Sequence, residues 1–346
     1  MLLIWGVKSR RLVIVNIKGE LSMNIGKLNW DDLKDIIDKN KTVKREEVRV
    51  SNGIGEDCAI VNYGEYECVI STDPVTGATE NIGKIAVNIN CNDIASCGVE
   101  PVGILVTILA PPTETLEDIR KIMQEIDKET QKLNVEIIGG HTEITDAVNK
   151  TIVSCTVIGK GKKNQGISTA GAKLNDDIIV TKKLCLEGTS ILVNDYEERC
   201  KRILNDSEIK EAKEYIKSIS VVKEGIIAGQ ENVHAMHDIT EGGVLGALWE
   251  MAKASNVGFE IYKEVMPISD ITRRVCEEFK IDPLRFISSG SMAIMTADGE
   301  ELIKKLNENG IEAKIIGRIT KEKGVIIENN KILEVDPPER DELFNI

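Results

Sequence analysis

Apolar residues along this chain recur with two spacings. A spacing of three and four predicts helices. It predicts a helix from Trp30 to about Asp38, with Leu33, Ile36 and Ile37 on one face, and another over 80–97, where Ile82, Ile85, Ala86, Ile89 and Ile94 form a stripe. It also predicts an amphipathic helix from Thr115 to Leu133, which Thr115 can cap with Asp118 three residues on. Short apolar runs bounded by Gly or Pro predict strands at 57–62 and 67–72, with a hairpin at Gly64. Pro101 opens a further strand, VGILVTILA, that Pro111 and Pro112 end. A short strand at 135–138, a loop GGHTE and a strand at 151–159 complete a β-β-α-β-α-β-β order, which implies helices layered on a sheet. The basic, apolar-poor stretch 159–168 is the expected linker. Beyond it, strands are expected near 177–181, 233–237, 257–261, 291–297 and 311–317, and helices near 187–195, 207–218, 243–254, 269–280 and 299–309.

The 346 residues suit two domains, 23–160 and 168–336, followed by a tail over 337–346. Residues 1–22 read either as an extension with an added strand at 12–17 or as an upstream start codon translated. Arg10 and Arg11 interrupt their apolar stretches, which makes a poor signal peptide. Aromatics are only 3 %, so the core must be built from Ile, Val, Leu and Ala. The net charge of -13 argues against a nucleic-acid partner, and means that a bound phosphate needs Lys, backbone N–H groups or a metal. The 8 cysteines form no CxxC pair and, with only 3 histidines, give no zinc spacing; they read as buried thiols of a reducing cytoplasm. No apolar run approaches the ~20 residues of a membrane span.

No P-loop, GxGxxG turn, HExxH or GxSxG occurs. What recurs instead is acid at strand ends beside glycine: Glu56-Asp57 in GIGEDCAIV, Asp73 in STDPVTGA, Asn92-Asp93 in NINCNDIASCG, His141-Thr142-Glu143 after Gly139-Gly140, and Asp238, Thr240 and Glu241 in HDITEGGVLGAL. Carboxylates at the mouth of a sheet are oxygen ligands for Mg²⁺ on a phosphate chain. Glycine pairs admit backbone N–H groups to phosphate, and a helix starting near Gly243 adds its dipole. Each motif also has a plainer reading. Asp73-Pro74 can be a turn, Thr240-Glu241 a helix cap, His141 a loop histidine and His237 a neighbour of Asp238. Asp93, inside an apolar helix, needs a partner on either reading.

Taken in order over roughly Asn24 to Asp336, these motifs resemble the AIR synthase (PurM-like) superfamily, which includes selenophosphate synthetase, thiamine-monophosphate kinase and HypE. IGKIAVNINCNDIASCGVEPVGIL is the most specific match; AGAKLNDDIIVTKKLCLEGTSIL and DPLRFISSGSMAI are most similar to the HypE branch. The resemblance implies an α+β, two-domain PurM-like fold: an N-terminal mixed sheet with helices and a C-terminal α/β domain. It implies ATP with Mg²⁺ in a cleft completed by a partner subunit, and a homodimer through the first domain. It also implies metal ligands at Asp57, Asp73, Asp93, Asp238 and Glu241, and nucleotide contacts from Asp57, Asp73, Lys84, Asn92, Gly139, Gly140, Thr142, Thr240, Gly242 and Gly243. Asp93, His141, Glu143 and Asp238 would carry the chemistry.

Three departures from the HypE pattern stand out. His141 replaces an acid after the glycine pair, Glu241 replaces an Arg, and no cysteine lies beyond Cys276 to match the HypE tail. The implied activity is ATP-driven activation of an oxygen of an unidentified small-molecule or protein acceptor, by phosphoryl transfer or dehydration, in hydrogenase or metallocofactor maturation. The alternatives are a small-molecule kinase of the thiamine-monophosphate-kinase type and a non-catalytic nucleotide-binding maturation partner. The tail is expected to be a structural strand-end or a disordered stub, dispensable for ATP binding.

Overall fold

The computed structural model describes residues 3–4, 13–14, 26, 28, 30–40, 43–53, 55–76, 78, 80–338 and 340–346. Of the N-terminal extension, only β1 (Leu3–Ile4) and β2 (Val13–Ile14), an antiparallel pair, lie within the described residues. Helix α1 (Trp30–Lys39) follows, and Trp30 stacks on Trp249 with ring centroids 5.7 Å apart.

The first sheet comprises β3 (Val48–Val50), β4 (Ala59–Tyr63), β5 (Tyr66–Val75), β6 (Glu100–Ala110), β7 (Glu136–Ile144) and β8 (Ile152–Lys162). Their spatial order is β3-β4-β5-β8-β6-β7, mixed because β6 and β7 alone run parallel. Helices α2 (Ile82–Ser96) and α3 (Leu116–Leu133) cover one face. Every second residue of β8, including Val153, Cys155 and Val157, joins Ile94, Ile104 and Ile126 in the core under them. The Thr115–Asp118 capping box forms as its sequence predicts.

The second sheet is β10-β12-β9-β13-β11-β14-β15. Its strands are β9 (Asp177–Thr181), β10 (Val233–Ile239), β11 (Gly258–Tyr262), β12 (Ser291–Thr296), β13 (Ala313–Thr320), β14 (Val325–Glu328) and β15 (Lys331–Glu334). Its helices are α4 (Leu186–Asp195), α5 (Glu197–Cys200), α6 (Asp206–Glu214), α7 (Val222–Ala228), α8 (Gly243–Ser255), α9 (Asp270–Phe279) and α10 (Gly299–Glu308). Hydrophobic clusters lie on both faces, and so SMAIMT of β12 is buried at every position rather than alternating.

Three local expectations change. GGHTE is no loop: it continues β7, paired to β6 as far as Ile144. Gly140 sits at φ 149°, and a Cβ there would meet the Val106 carbonyl at 1.9 Å, so the glycine is needed for strand approach. Pro74 forces no turn, because β5 runs through it and pairs it with Ser154. The start of the expected linker, 159–162, is the end of β8.

Helix α2 lies between the halves, touching α3, β5 and β8 on one side and α7 and β10 on the other. Gly225 of α7 approaches so closely that a Cβ would lie 2.2 Å from the Ala95 carbonyl. Beside this contact, Asn92 donates to the Ile219 carbonyl at 2.8 Å and accepts from the Val221 N–H at 2.8 Å. Among the described residues, no helix is long and apolar enough to cross a membrane.

Candidate functional site

A cleft of about 740 Å³ opens where β5 and α2 face α4, the turn after β10 and the C-terminal segment. Its acidic end is built from the contact between α2 and the two sheets. Ser71 and Asp73, two apart on β5, share a face. Asn90 and Asp93, three apart on α2, meet that face. Asn90 Oδ1 accepts from the Asp73 N–H at 2.7 Å, and its Nδ2 donates to the Asp73 carbonyl at 3.2 Å, which fixes the backbone that carries the Asp73 carboxylate. Ser71 Oγ donates to Asp93. Asp57, just before β4, lines the cleft with Asp73 and Asp93, while Asp238 at the end of β10 lies buried and accepts from Ser96 Oγ at 3.4 Å.

These carboxylates crowd one another. Burial, with Asp238, Asp57 and Asp73 nearby, raises the Asp93 pKa well above the usual carboxylate range. Burial likewise raises Asp238 to about 7, although His237 opposes the shift. The counter-ion is His237, itself buried, with Nε2 at 3.3 Å from Asp57 Oδ2 and 3.2 Å from Glu250 Oε2, and Nδ1 donating to the Asp238 carbonyl at 2.6 Å. Burial disfavours its charge, but Asp57, Glu250 and Asp238 outweigh that and hold it at about 10.

The donor set fits a hard divalent cation. Ligand atoms of Asp57, His237 and Asp238 lie within 4.8 Å of one another, and Asp238 Oδ2 is buried without a hydrogen-bond partner among the described residues. Both ring nitrogens of His237 already face Asp57, Glu250 and the Asp238 carbonyl, so the oxygens of Asp57, Asp73, Asp93 and Asp238 are the ligands that suit Mg²⁺, with His237 holding two of these residues in place.

The opposite end is formed by Glu187, Ser190 and Asn194 of α4, by Ser289, by Thr240 and Glu241, and by Leu343, Phe344 and Ile346. The tail is thus neither strand-end nor stub. Residues Glu342–Asn345 form a 3₁₀ turn, and Asp341 anchors it by accepting from the Gly242 N–H at 2.7 Å.

The remaining expected site residues lie elsewhere. Asn92 is spent on Ile219 and Val221. Lys84 points to α3, with Nζ 4.0 Å from Glu129 Oε1. Gly242 gives its N–H to Asp341, and Gly243 packs on the Leu284 carbonyl, so the start of α8 faces this chain's own tail rather than the cleft. Gly139, Gly140, His141, Thr142 and Glu143 lie on β7, an edge strand, outside the cleft; His141 Nε2 and Glu143 Oε2 are 3.3 Å apart and exposed. Sequence reasoning missed Ser71, Asn90, Ser96 and Glu250. For the first two, the spacing to Asp73 and Asp93 was the available signal.

Family models match most of the chain: AIR synthase related protein, N-terminal domain, over residues 55–160, and the corresponding C-terminal domain over 175–329. A putative hydrogenase expression/formation protein of Methanocaldococcus jannaschii is 33% identical over 321 residues, covering 88% of this chain and 91% of that protein. The carbamoyl dehydratase HypE of Rhizobium leguminosarum is 24% identical over 276 residues, 77% of each chain. A ThiL structure complexed with AMPPCP and TMP superposes with a TM-score of 0.74 at 20% identity, covering 93% of this chain and 99% of that one, a likeness of fold.

Proposed function

Because the chain belongs to the AIR synthase related family, we propose that it is a Mg-dependent, ATP-using enzyme of the HypE type, which activates an oxygen of an acceptor by phosphoryl transfer or dehydration. The observation that carries this reading is the meeting of Asp57, Asp73 and Asp93 on one cleft of nucleotide size, with Asp238 behind them, in a chain without a P-loop. Those four residues would hold Mg²⁺, which when bound offsets phosphate charge and stabilises the transferring group. His237 keeps Asp57 and Asp238 oriented, Ser71 holds Asp93, and Asn90 holds the strand at Asp73. In this reading two copies pair through the first sheet, and His141, Thr142 and Glu143 of the β7 edge serve the partner's cleft. The likeness to the M. jannaschii hydrogenase expression/formation protein favours a place in hydrogenase or metallocofactor maturation.

A kinase is the second reading, favoured by Glu241 and Thr240 on the cleft wall, where an acid can hold another metal. The test is incubation with ATP and Mg²⁺, with and without candidate acceptors, followed by chromatography of the nucleotides. ADP or AMP formation abolished by Asp93→Asn supports an enzyme. Tight nucleotide binding without turnover under any condition overturns it in favour of a non-catalytic maturation partner.

A further inference from the structure

At the α4 wall of the cleft, two polar atoms lack partners among the described residues. Glu187 Oε2 and Ser289 Oγ are buried with no hydrogen bond to any described residue, in residues 3 % and 1 % exposed, and both residues line the cleft. Ser289 lies close enough to favour the ionised Glu187 through its hydroxyl and its backbone N–H, yet the hydroxyl completes no bond of good geometry. Native proteins seldom leave such atoms unpaired, so a pair of them on a cleft wall marks a place that a ligand completes.

The charge around the pair says which ligand. The described lining residues include Asp57, Asp73, Glu80, Asp93, Glu187, Asp195 and Glu241, and no Lys, Arg or His among them. Metal ions at the Asp cluster would be matched by ATP phosphates, but among the described lining residues no cation offsets Glu187 and Glu241, or Asp341 beside them. Burial first, and then Asp341 and Glu241, push the Glu187 pKa up to about 7.

We propose that Glu187 and Ser289 form the acceptor subsite of the cleft, and that it recognises an ammonium group on the acceptor and disfavours a phosphate ester. The ammonium donates one N–H to Glu187 Oε2 and another to Ser289 Oγ, and the field of the acidic wall selects its charge. Leu343, Phe344 and Ile346 give the same end an apolar wall for the carbon skeleton. That this end receives the acceptor rests on the assignment of ATP to the Asp cluster.

The test uses the full-length protein and three probes of similar size: methylammonium, acetamide and methyl phosphate. Each is titrated by NMR or calorimetry, with and without a non-hydrolysable ATP analogue and Mg²⁺. The expected result is saturable methylammonium binding, weakened about tenfold by Glu187→Gln and measurably by Ser289→Ala, with analogue affinity within about twofold of wild type in both. Preferential binding of acetamide or methyl phosphate, a methylammonium response indifferent to Glu187→Gln, or no saturable response overturns the subsite. Failure of the wild type to bind the ATP analogue would instead overturn the nucleotide assignment, while the methylammonium arm still decides the role of Glu187.

Discussion

Replacing Asn92 by Ala separates a strut from a ligand. Asn92 is fully buried, and both polar ends of its side chain are used across the contact between the halves, at 2.8 Å to the Ile219 carbonyl and 2.8 Å from the Val221 N–H. Ala leaves one N–H and one C=O unpaired beside residues that are themselves buried, at about 1–3 kcal/mol each. It also opens a small void, so the total is about 3–5 kcal/mol. Against a native stability of roughly 5–15 kcal/mol, this lowers Tm by roughly 10 °C. The assay is thermal unfolding followed by calorimetric titration of Mg·ATP well below the new midpoint. The folded variant should bind nucleotide within about twofold of wild type, because neither polar atom of residue 92 faces the cleft. An unchanged Tm with lost affinity would refute the reasoning and restore Asn92 as a nucleotide contact.

Further outcomes follow from other parts of the molecule. His237 has a folded pKa of about 10 against an ordinary 6.5, so its charge stabilises fully below about pH 6.5 and ceases to do so as pH rises through 10. The Tm advantage of wild type over His237→Gln, measured without added metal, should close across that window; a gap constant from pH 6 to pH 10 contradicts it. Deleting Asp341 to Ile346 frees the Gly242 N–H and removes the apolar wall, so it should lower Tm and weaken methylammonium binding at the Glu187 end, and unchanged behaviour would return the tail to a dispensable role. The outer face of the first sheet exposes Val102, Leu105 and Ile138, which suits a homodimer. Light scattering should find a dimer that Leu105→Glu dissociates, and a wild-type monomer at micromolar concentration would exclude it.

The elements most legible in the sequence are those whose pattern is set by burial on one face. Helix α3 shows its stripe and its Thr115 cap, and β6 runs between prolines. Strands β14 and β15 and helix α7 escaped because they are short; in and beside α7, Gly225 and Gly229 are contact points, where a Cβ would meet Ala95 and Gly98. In the candidate site, acid beside glycine picked out Asp57, Asp73 and Asp93, which line one cleft, and the buried Asp238, but gave the glycines to phosphate. Gly139-Gly140 serve strand approach and Gly242 serves the tail, because a glycine's permissiveness leaves no mark of what approaches it. Glu187 went unnoticed because LCLEGTSIL reads as an ordinary helix start; its meaning lies in the unpaired oxygen, which only the fold reveals.

The central claim is that Mg·ATP sits on the carboxylates of the cleft. Calorimetric titration of Mg·ATP into wild type and into Asp57→Asn, Asp73→Asn and Asp93→Asn, each with Tm recorded, tests it directly. The account predicts saturable binding that requires Mg²⁺ and weakens about tenfold or more in each variant without matching losses of Tm. Unchanged affinity in all three variants, or equal binding in the presence of a chelator, would contradict it.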